Sequence, residues 1–491
     1  MAIRPCRPLP VTLCLLVLAL AGCGTGLHDA DGSPEPSSQV AEIRIANSLT
    51  TDALVLNALS ANPTSNGLLA SNALTSLFGP TAISGPAHIR LQLQDPDAQK
   101  FMEYLVGCAL PAGDILEWYD PRAASAGPRK WYGKAGLCPD WATSAPTGEC
   151  KRLVSACILA RNNALGRRVE LSIRGEHWTG PGVFTMEPVT RPAEQDPNPL
   201  VALNSFTPCA GTQTGAARDC GWKADAIGSC TPGSQVWVGA GGPTSCPGPG
   251  LGSSTGGQMV LRVCDGIVGC DHLGGRFVTE AVGSCAGSAP VTSFTCPYQG
   301  NPTTAWFSVM TAPWSSLDTT SSATVAVSSS AGAQYNLSEQ QVYGMREGAF
   351  YGNLFDPVAL HPQVNVYVAR EGDTYTVVGD NVHVQGSIYR KMFSCYDPSW
   401  SSGAAYSSNR VCALPSSGEN CAATVTGPCW NSNSSPGMCA IQDGPDVSGD
   451  GDFEKCKDTL GNVWREPVTT WLNSACDTVQ SATGTRSCGR K

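Results

Sequence analysis

The chain has 491 residues, with 31 lysines and arginines against 40 aspartates and glutamates, which gives a formal net charge of −9. This acidic balance argues against nucleic acid as a partner, because proteins that bind phosphates need a positively charged surface. It also argues against electrostatic docking on anionic lipid. The chain contains 23 cysteines, and a cysteine content of this kind is typical of exported proteins that form disulfides.

The first 22 residues have the layout of a lipoprotein signal peptide. They begin with two arginines and no acidic residue, and they continue with the apolar run "LPVTLCLLVLALAG", which is too short to span a bilayer comfortably. The run ends in Leu20-Ala21-Gly22-Cys23, which resembles the lipobox of bacterial lipoproteins. The resemblance implies cleavage before Cys23, a diacylglyceryl thioether on its sulfur and an acylated amine, palmitate being a typical acyl group. We therefore expect a lipid anchor that holds the chain on a membrane.

Residues 23–80 are predicted to be a tether followed by a spacer. In Gram-negative lipoproteins, an aspartate directly after the lipidated cysteine favours retention at the inner membrane. This chain has Gly24 at that position, so the resemblance implies the outer membrane. It does not specify whether the protein faces the periplasm or the cell surface. Residues 24–42 are rich in Gly, Ser, Pro and acids. Residues 47–76 repeat every five positions, with leucine recurring two places after Asn, Asp or Gly. Because six pentads barely exceed one solenoid coil, we favour a low-complexity, partly helical spacer.

The cysteine count becomes even once the signal peptide and the lipid are accounted for. Two cysteines leave with the signal, Cys23 carries lipid, and twenty remain in clusters of four (108–157), eight (209–296) and eight (395–488). Even clusters in an exported chain predict up to ten disulfides in separately stapled modules. No CxxC pair occurs, so the common zinc, redox and haem signatures are missing.

One connectivity can be eliminated in the first cluster. The apolar spacing of residues 149–163 predicts a helix that carries Cys150 and Cys157 on one side. At 1.5 Å per residue these two lie about 10 Å apart, whereas a disulfide tolerates Cα separations only to about 7 Å. Each of them must therefore pair with Cys108 or Cys138, and two connectivities stay open.

The predicted fold class is mainly β with some α, in several disulfide-stapled modules. The predicted boundaries are 81–198 for a mixed α/β module with four cysteines, 199–312 for a β-sandwich-like module with eight, 313–334 for a Ser/Thr-rich linker, and 335–491 for a β and loop-rich module with eight. The sandwich is predicted from five short strand-like segments that Gly, Pro and Ser turns separate.

Individual elements follow from capping and alternation. Asp95 and Pro96 are typical of the start of a helix, with four apolar residues behind them as its buried stripe. Residues 364–378 predict a hairpin, and 381–389 a third strand beside it. The segment "EPVTTWLNSAC" near the end fits either a strand or a short helix.

A metal site is predicted in "DVSGDGDFE". Asp446, Ser448, Asp450 and Asp452 offer hard oxygen ligands around a tight turn, which resembles the first half of EF-hand and dockerin calcium loops. The twelfth position is Lys457, where an EF-hand has a glutamate. A plain acidic turn therefore stays open as the alternative, and calcium is the single candidate cofactor.

The sequence beyond the signal peptide resembles uncharacterised cysteine-rich bacterial surface lipoproteins, in segments such as "EGAFYGNLF", "NRVCALP" and "ENCAATVTGPC". That resemblance implies no activity. The six histidines lack metalloprotease spacing, and we assign no catalytic residue. We expect a structural, adhesion or binding role, with polysaccharide or another surface protein as partner. Aromatic residues in the loops 175–182 and 398–410 are the candidate glycan platform. The alternative is an extracellular hydrolase whose site is assembled from distant residues.

Overall fold

The computed structural model describes a set of segments from residue 49 onward. These are 49–78, 87–120, 127–164, 171–176, 183–185, 223–239, 258–267, 276–284, 290–299, 301–313, 325–329, 332–380, 382–398, 410–414, 417–430, 437–440 and 451–472. The predicted signal peptide, the lipobox cysteine Cys23 and the acidic tether lie outside these residues. None of the helices in these segments has both the length and the apolar character that crossing a bilayer requires.

Seven α-helices are present in the described segments, and residues 139–142 and 357–359 form short 3₁₀ turns. The helices are α1 (Thr51–Leu56), α2 (Pro63–Ser71), α3 (Leu74–Phe78), α4 (Ala87–Gln92), α5 (Pro96–Ala109), α6 (Gly148–Ala160) and α7 (Glu339–Val342). The Asp95 side chain accepts a hydrogen bond from the backbone N–H of Asp97 at 3.0 Å, so the predicted cap of α5 is confirmed.

The described strands are more numerous, so the mainly β fold class is confirmed. The first twelve are β1 (Leu49–Thr50), β2 (Ile115–Trp118), β3 (Arg129–Tyr132), β4 (Asn162–Asn163), β5 (Ser172–Glu176), β6 (Val183–Thr185), β7 (Lys223–Cys230), β8 (Gln235–Val238), β9 (Gln258–Asp265), β10 (Arg276–Ser284), β11 (Thr292–Thr295) and β12 (Ala305–Pro313). The others are β13 (Val327–Ser329), β14 (Gln334–Tyr335), β15 (Met345–Gly352), β16 (Asn365–Glu371), β17 (Thr374–Asp380), β18 (Met392–Tyr396), β19 (Thr424–Pro428), β20 (Cys439–Ala440), β21 (Lys455–Lys457), β22 (Val463–Trp464) and β23 (Val468–Leu472).

A six-stranded sheet joins strands from both ends of the described chain. Its order is β19-β18-β15-β23-β5-β6, with β18 and β19 parallel and the other neighbours antiparallel. In the β5–β23 pair, Arg174 lies opposite Thr469, and α6 packs against β15 and β23. The described residues of 49–176 and 339–472 therefore share one core, and we call them the composite body. The predicted module boundaries stay predictions, but the first and last predicted modules contribute to the same sheet.

The predicted spacer is part of that core, so its assignment as a spacer is wrong. Leucines of the five-residue repeat are fully buried, namely Leu49, Leu54, Leu59, Leu69 and Leu74. The described asparagines at the repeat positions lie at helix ends. Asn57 ends α1 and its amide nitrogen donates to the carbonyls of Ala53 and Leu54, at 2.8 and 2.9 Å. Asn62 caps α2 through a 3.0 Å bond from the backbone N–H of Ser65. Period five thus encodes short capped helices with buried leucines.

The middle of the chain forms two facing sheets. One has the order β10-β9-β12-β7-β14 and the other β11-β8-β13, and all their pairs are antiparallel. Side chains from both sheets share a core, including Val236, Val238, Leu261, Phe294 and Phe307. This arrangement matches the predicted sandwich-like module, and we call it the middle sandwich (described residues of 223–335). Part of the predicted Ser/Thr-rich linker forms β13, which pairs with β8 at the edge of the smaller sheet.

Disulfides staple both regions. Six have both cysteines in the described segments, namely Cys108–Cys157, Cys138–Cys150, Cys230–Cys296, Cys395–Cys429, Cys412–Cys421 and Cys439–Cys456. Each joins cysteines of a single sequence cluster. The first two bridges represent one of the two connectivities that the geometry of α6 left open.

The predicted elements of the last module are confirmed in part. β16 and β17 form the expected antiparallel hairpin, and "EPVTTWLNSAC" supplies the strand β23. The third strand expected over 381–389 is wrong. Its described residues make only isolated bridges, in which Gln385, Ser387 and Tyr389 pair with three separate partners. The alternating pattern there reflects burial of Val384 and Ile388 in the core, without a continuous neighbouring strand.

Candidate functional site

A cleft of about 320 Å³ lies where the second turn of α6 meets the segment that connects β22 to β23. We call it the Trp464 cleft, and its lining residues are Arg152, Asn462, Val463, Trp464, Arg465 and Glu466. The helix α6 supplies the guanidinium group of Arg152. The segment 462–466 supplies amide, indole, guanidinium and carboxylate groups. The cleft therefore offers hydrogen-bonding groups beside an aromatic surface.

A tight turn organised by Asp458 forms one wall. The backbone N–H of Gly461 donates to the carbonyl of Asp458 at 3.0 Å, and Gly461 has a φ of 84°, which glycine adopts without steric cost. The Asp458 carboxylate accepts 2.9 Å bonds from the backbone N–H groups of Leu460 and Asn462 and from the Asn462 side chain. Burial alone would raise the pKa of Asp458, but these hydrogen bonds hold it below its ordinary value. The turn is therefore fixed when the carboxylate is charged.

A salt bridge between Arg152 and Glu466 forms another part of the lining. The Arg152 Nε donates to Glu466 Oε2 at 2.7 Å, and its Nη2 donates to Oε1 at 2.6 Å. The Glu466 side chain is buried, whereas that of Arg152 is 34% exposed. The hydrogen bonds that Arg152 donates to Glu466 raise the pKa of Arg152 above its ordinary value. A two-pronged contact of this kind fixes the plane of the guanidinium group, and Arg152 lines the cleft in this fixed position.

Trp464 connects the cleft to a buried group of cysteines. Its indole Nε1 donates to Asp458 Oδ2 at 3.3 Å, and its ring centroid lies 5.6 Å from that of Phe393. Trp464 pairs directly with Cys456 across β21 and β22. The same apolar cluster contains Cys395, Cys429 and Cys439. Disulfides therefore brace the strands directly beneath the aromatic side chain of the cleft.

The predicted calcium ligands fall mainly outside the described residues. Asp446, Ser448 and Asp450 belong to that part, whereas Asp452 is described and is 1% exposed. The backbone carbonyl of the preceding Gly451 accepts a hydrogen bond from Arg346. The calcium site therefore stays a prediction.

The predicted glycan loops also lie almost entirely outside the described residues, as 177–182 and 399–409 do. Three histidines are described. His88 contacts Asn62 at 3.3 Å, the His361 ring accepts from the backbone N–H of Gln363, and His383 pairs with Glu419 at 3.4 Å. The hydrolase alternative stays a prediction.

Sequence reasoning missed the Trp464 cleft. Its local signal is "DTLGNVWREP", in which Asp, Gly and Asn predict a turn just before Trp, Arg and Glu. The position of Arg152 has no such signal, because it comes from a helix 314 residues earlier than Glu466.

No protein-family model matches the chain. No curated protein and no solved structure gives a significant match either.

Proposed function

We propose that the chain is a lipid-anchored cell-surface protein that binds saccharides in the Trp464 cleft. The observation that supports this most is the combination of an indole with fixed polar groups in one braced cleft. The lipobox at Cys23 supplies the anchor, and polysaccharide is one of the two partner classes that the sequence predicts, beside another surface protein.

The chemistry of the lining suits a sugar. An indole face packs against the C–H groups of a pyranose ring, and its polar edge keeps a hydrogen-bond partner. Guanidinium, amide and carboxylate groups such as those of Arg152, Asn462 and Glu466 bond hydroxyl groups as donors and acceptors. A small number of placed polar groups beside an apolar surface is the usual composition of a ligand site.

The rigidity of the cleft favours binding over a purely structural role. The Asp458 turn, the Arg152–Glu466 salt bridge and the Cys439–Cys456 disulfide hold the lining before any ligand arrives. Preorganised groups lose little conformational entropy on binding, which increases affinity. Val463 in the lining is 49% exposed, and Leu460, three residues earlier, is 85% exposed. These two apolar side chains extend the contact surface for a polymer longer than one sugar.

Binding to immobilised polysaccharides tests this proposal. We would measure the full chain on dextran as a neutral glycan and on polygalacturonate as an acidic one, because two arginines and one glutamate line the cleft. We expect Trp464→Ala and Arg465→Ala each to lower affinity about tenfold or more, which corresponds to about 1.4 kcal/mol.

The matched control is Tyr298→Ala. Tyr298 is 64% exposed and lies in the middle sandwich, so its removal deletes an exposed aromatic ring of the same class away from the cleft. Equal losses in all three variants, or no binding to either glycan, would count against the saccharide proposal. Retained melting temperatures would show that the variants are folded.

The anchor has its own test. The intact mass of the mature protein should begin at Cys23 and exceed the polypeptide mass by the lipid, and Cys23→Ser should release the protein from membranes. An unlipidated wild-type terminus would contradict the anchor while leaving the cleft untouched.

A further inference from the structure

Two disulfides of the composite body are in direct contact. Cys395 of β18 is bonded to Cys429, and Cys439 of β20 is bonded to Cys456 of β21. The Sγ atom of Cys395 lies 3.2 Å from the Sγ atom of Cys439. The sulfurs of Cys395, Cys429 and Cys439 all lie within 4.8 Å of one another. A sulfur of one bridge is therefore placed against a sulfur of the other.

The backbone holds this arrangement in place. Cys439 and Cys456 are opposite each other in the β20–β21 pair. The backbone N–H of Cys439 donates to the carbonyl of Cys429 at 2.9 Å, and that of Cys429 donates to the carbonyl of Tyr396 at 2.8 Å. All four sulfurs thus belong to neighbouring segments that hydrogen bonds tie together. Breaking one disulfide does not by itself separate the strands that carry them.

The four cysteines differ in their access to solvent. Cys439 is 7% exposed, Cys395 is 3% exposed, and Cys429 and Cys456 are fully buried. An external thiol reaches a disulfide most readily through its more accessible sulfur. All four are buried, and Cys439 is the most exposed of them. Attack at Cys439 releases Cys456, and Cys439 is also the residue of its bridge whose sulfur touches Cys395 of the second bridge.

We propose that Cys395, Cys429, Cys439 and Cys456 form a thiol–disulfide exchange site that takes a dithiol as its reductant. The dithiol attacks Cys439 Sγ, its second thiol resolves the mixed disulfide, and it leaves as a cyclic disulfide. Two electrons and two protons have then passed to Cys439 and Cys456, which are both reduced.

The second step needs no further reductant. The Cys439 thiolate attacks Cys395 Sγ, a bond forms between these two sulfurs, and the Cys395–Cys429 bond breaks. The electron pair leaves on Cys429, which takes up a proton. The products are a Cys395–Cys439 disulfide and thiols at Cys429 and Cys456. Burial disfavours the thiolate, but sulfurs already in contact react at a high effective concentration.

This site is independent of saccharide binding, although it lies beneath the Trp464 cleft. The exchange removes the covalent link between β20 and β21, and Cys456 is the residue that pairs with Trp464. The consequence for the chain is that one encounter with a dithiol changes the pairing of four cysteines.

A single-cysteine variant tests the exchange step without any reductant. In Cys456→Ser, Cys439 has no native partner and its sulfur contacts the Cys395–Cys429 bridge. We expect alkylation with N-ethylmaleimide followed by peptide mapping to find the free thiol shifted from Cys439 to Cys429, with Cys395 bonded to Cys439. A free thiol confined to Cys439 would overturn the proposal.

The matched control is Cys421→Ser, which leaves Cys412 without its partner. Cys412 and Cys421 face each other in an isolated bridge of the backbone, and we expect the free thiol to stay on Cys412. Movement of that thiol as well would mean general scrambling and would overturn a specific exchange site.

The wild-type chain gives a second measurement if the variant fails to fold. Treatment with limiting dithiothreitol, acid quenching and alkylation should yield molecules that are alkylated at Cys429 and Cys456 and carry a Cys395–Cys439 link. If the two alkylated cysteines in every molecule came from one native disulfide, either Cys395 and Cys429 or Cys439 and Cys456, no exchange would have occurred and the proposal would be overturned.

Discussion

The composite body and the middle sandwich differ in the interactions that stabilise each of them. The sandwich is built from strands within 223–335, and its core is apolar, with Ser308 and Thr311 as its buried polar residues among those described. The composite body joins residues several hundred positions apart and buries charged groups at its centre. Arg410, for example, is 1% exposed and pairs with the buried carboxylate of Glu347.

This difference shows which interactions specify the assembly of distant segments. Around the Arg410–Glu347 pair, the guanidinium donates to the carbonyls of Ala160 and Asn162 at 2.6 and 3.0 Å, and Thr470 donates to Glu347 at 2.7 Å. Apolar packing tolerates many partners, whereas a buried charge is stable only when all its partners are in place. The polar network therefore stabilises only one arrangement of the distant segments. The sandwich does not need such a network, because all its strands come from residues 223–335.

Removing Arg410 should have the largest effect. Arg410→Ala leaves the buried Glu347 carboxylate without its counter-charge, and we expect a loss of about 3–5 kcal/mol in the free energy of unfolding. Urea unfolding followed by circular dichroism measures it. The double variant Glu347→Gln/Arg410→Met leaves no uncompensated charge, so it should lose less than the single variant. A double variant that is less stable than Arg410→Ala would contradict this account of the network.

Matched Leu→Ala substitutions should lower the stability of the two regions by similar amounts. Leu54 in α1 and Leu261 in β9 are both fully buried, and Leu→Ala at such sites costs about 3 kcal/mol through lost burial and a residual cavity. Melting temperatures and urea midpoints of the two variants give the comparison. A neutral Leu54→Ala would mean that the five-residue repeat is a spacer after all, and would restrict the composite body to its later segments.

Asp97 should make the composite body sensitive to pH. The carboxyl group of Asp97 lies at the surface, but the surrounding protein partly desolvates it. This desolvation, and then the charges of Asp95 and Asp52, raise the pKa of Asp97 from 3.8 to about 6. The folded state therefore holds this proton more tightly than the unfolded state does. The stabilisation is fully present below about pH 3.8 and is lost as the pH rises through about 6.

We expect Asp97→Asn to be more stable than the wild type at pH 7, by less than about 1 kcal/mol because solvent screens this exposed group. The advantage should disappear at pH 4, where the wild-type carboxyl is largely protonated. Thermal melts at both pH values measure the difference. An advantage of the same size at both would contradict the role of the carboxyl group's titration.

The ion pair of the middle sandwich should have the smallest effect. Arg262 of β9 and Glu280 of β10 lie opposite each other, with side chains that are 13% and 29% exposed. Partly exposed pairs contribute about 0.2–1 kcal/mol, so Glu280→Gln should cost about 0.5 kcal/mol, and added salt should reduce the difference. A loss as large as that of Arg410→Ala would remove the contrast between the two regions.

Much of the fold could be predicted because its signals are local. Asp95 and Pro96 start a helix wherever they precede an apolar stripe, and alternation over 364–378 encodes a hairpin whose partner strands are adjacent in sequence. The composite sheet has no such signal. The pairing of β5 with β23 brings together residues nearly 300 positions apart, and alternation shows that a strand is half-buried without specifying its neighbour.

The site was less predictable for the same reason. The turn before Trp464 can be read from its Asp, Gly and Asn residues, but Arg152 reaches the cleft only through packing of α6 on the sheet. The repeat at 47–76 was misinterpreted because period five fits neither an ideal helix nor a strand. Asn57, Asn62 and Asn72 lie at the ends of short helices and the repeat's leucines between them are buried, a pattern that a single continuous helix would not require.

The β5–β23 pair also determines when the chain can finish folding. Ribosomes add about 5–20 residues per second, so the interval between residue 176 and residue 468 takes about 15–60 s to synthesise. For that time the early helices and β5 exist without the strand that completes their sheet. The first part of the chain therefore stays incompletely folded until β23 emerges, so the early segments must avoid wrong partners for most of the time that synthesis takes.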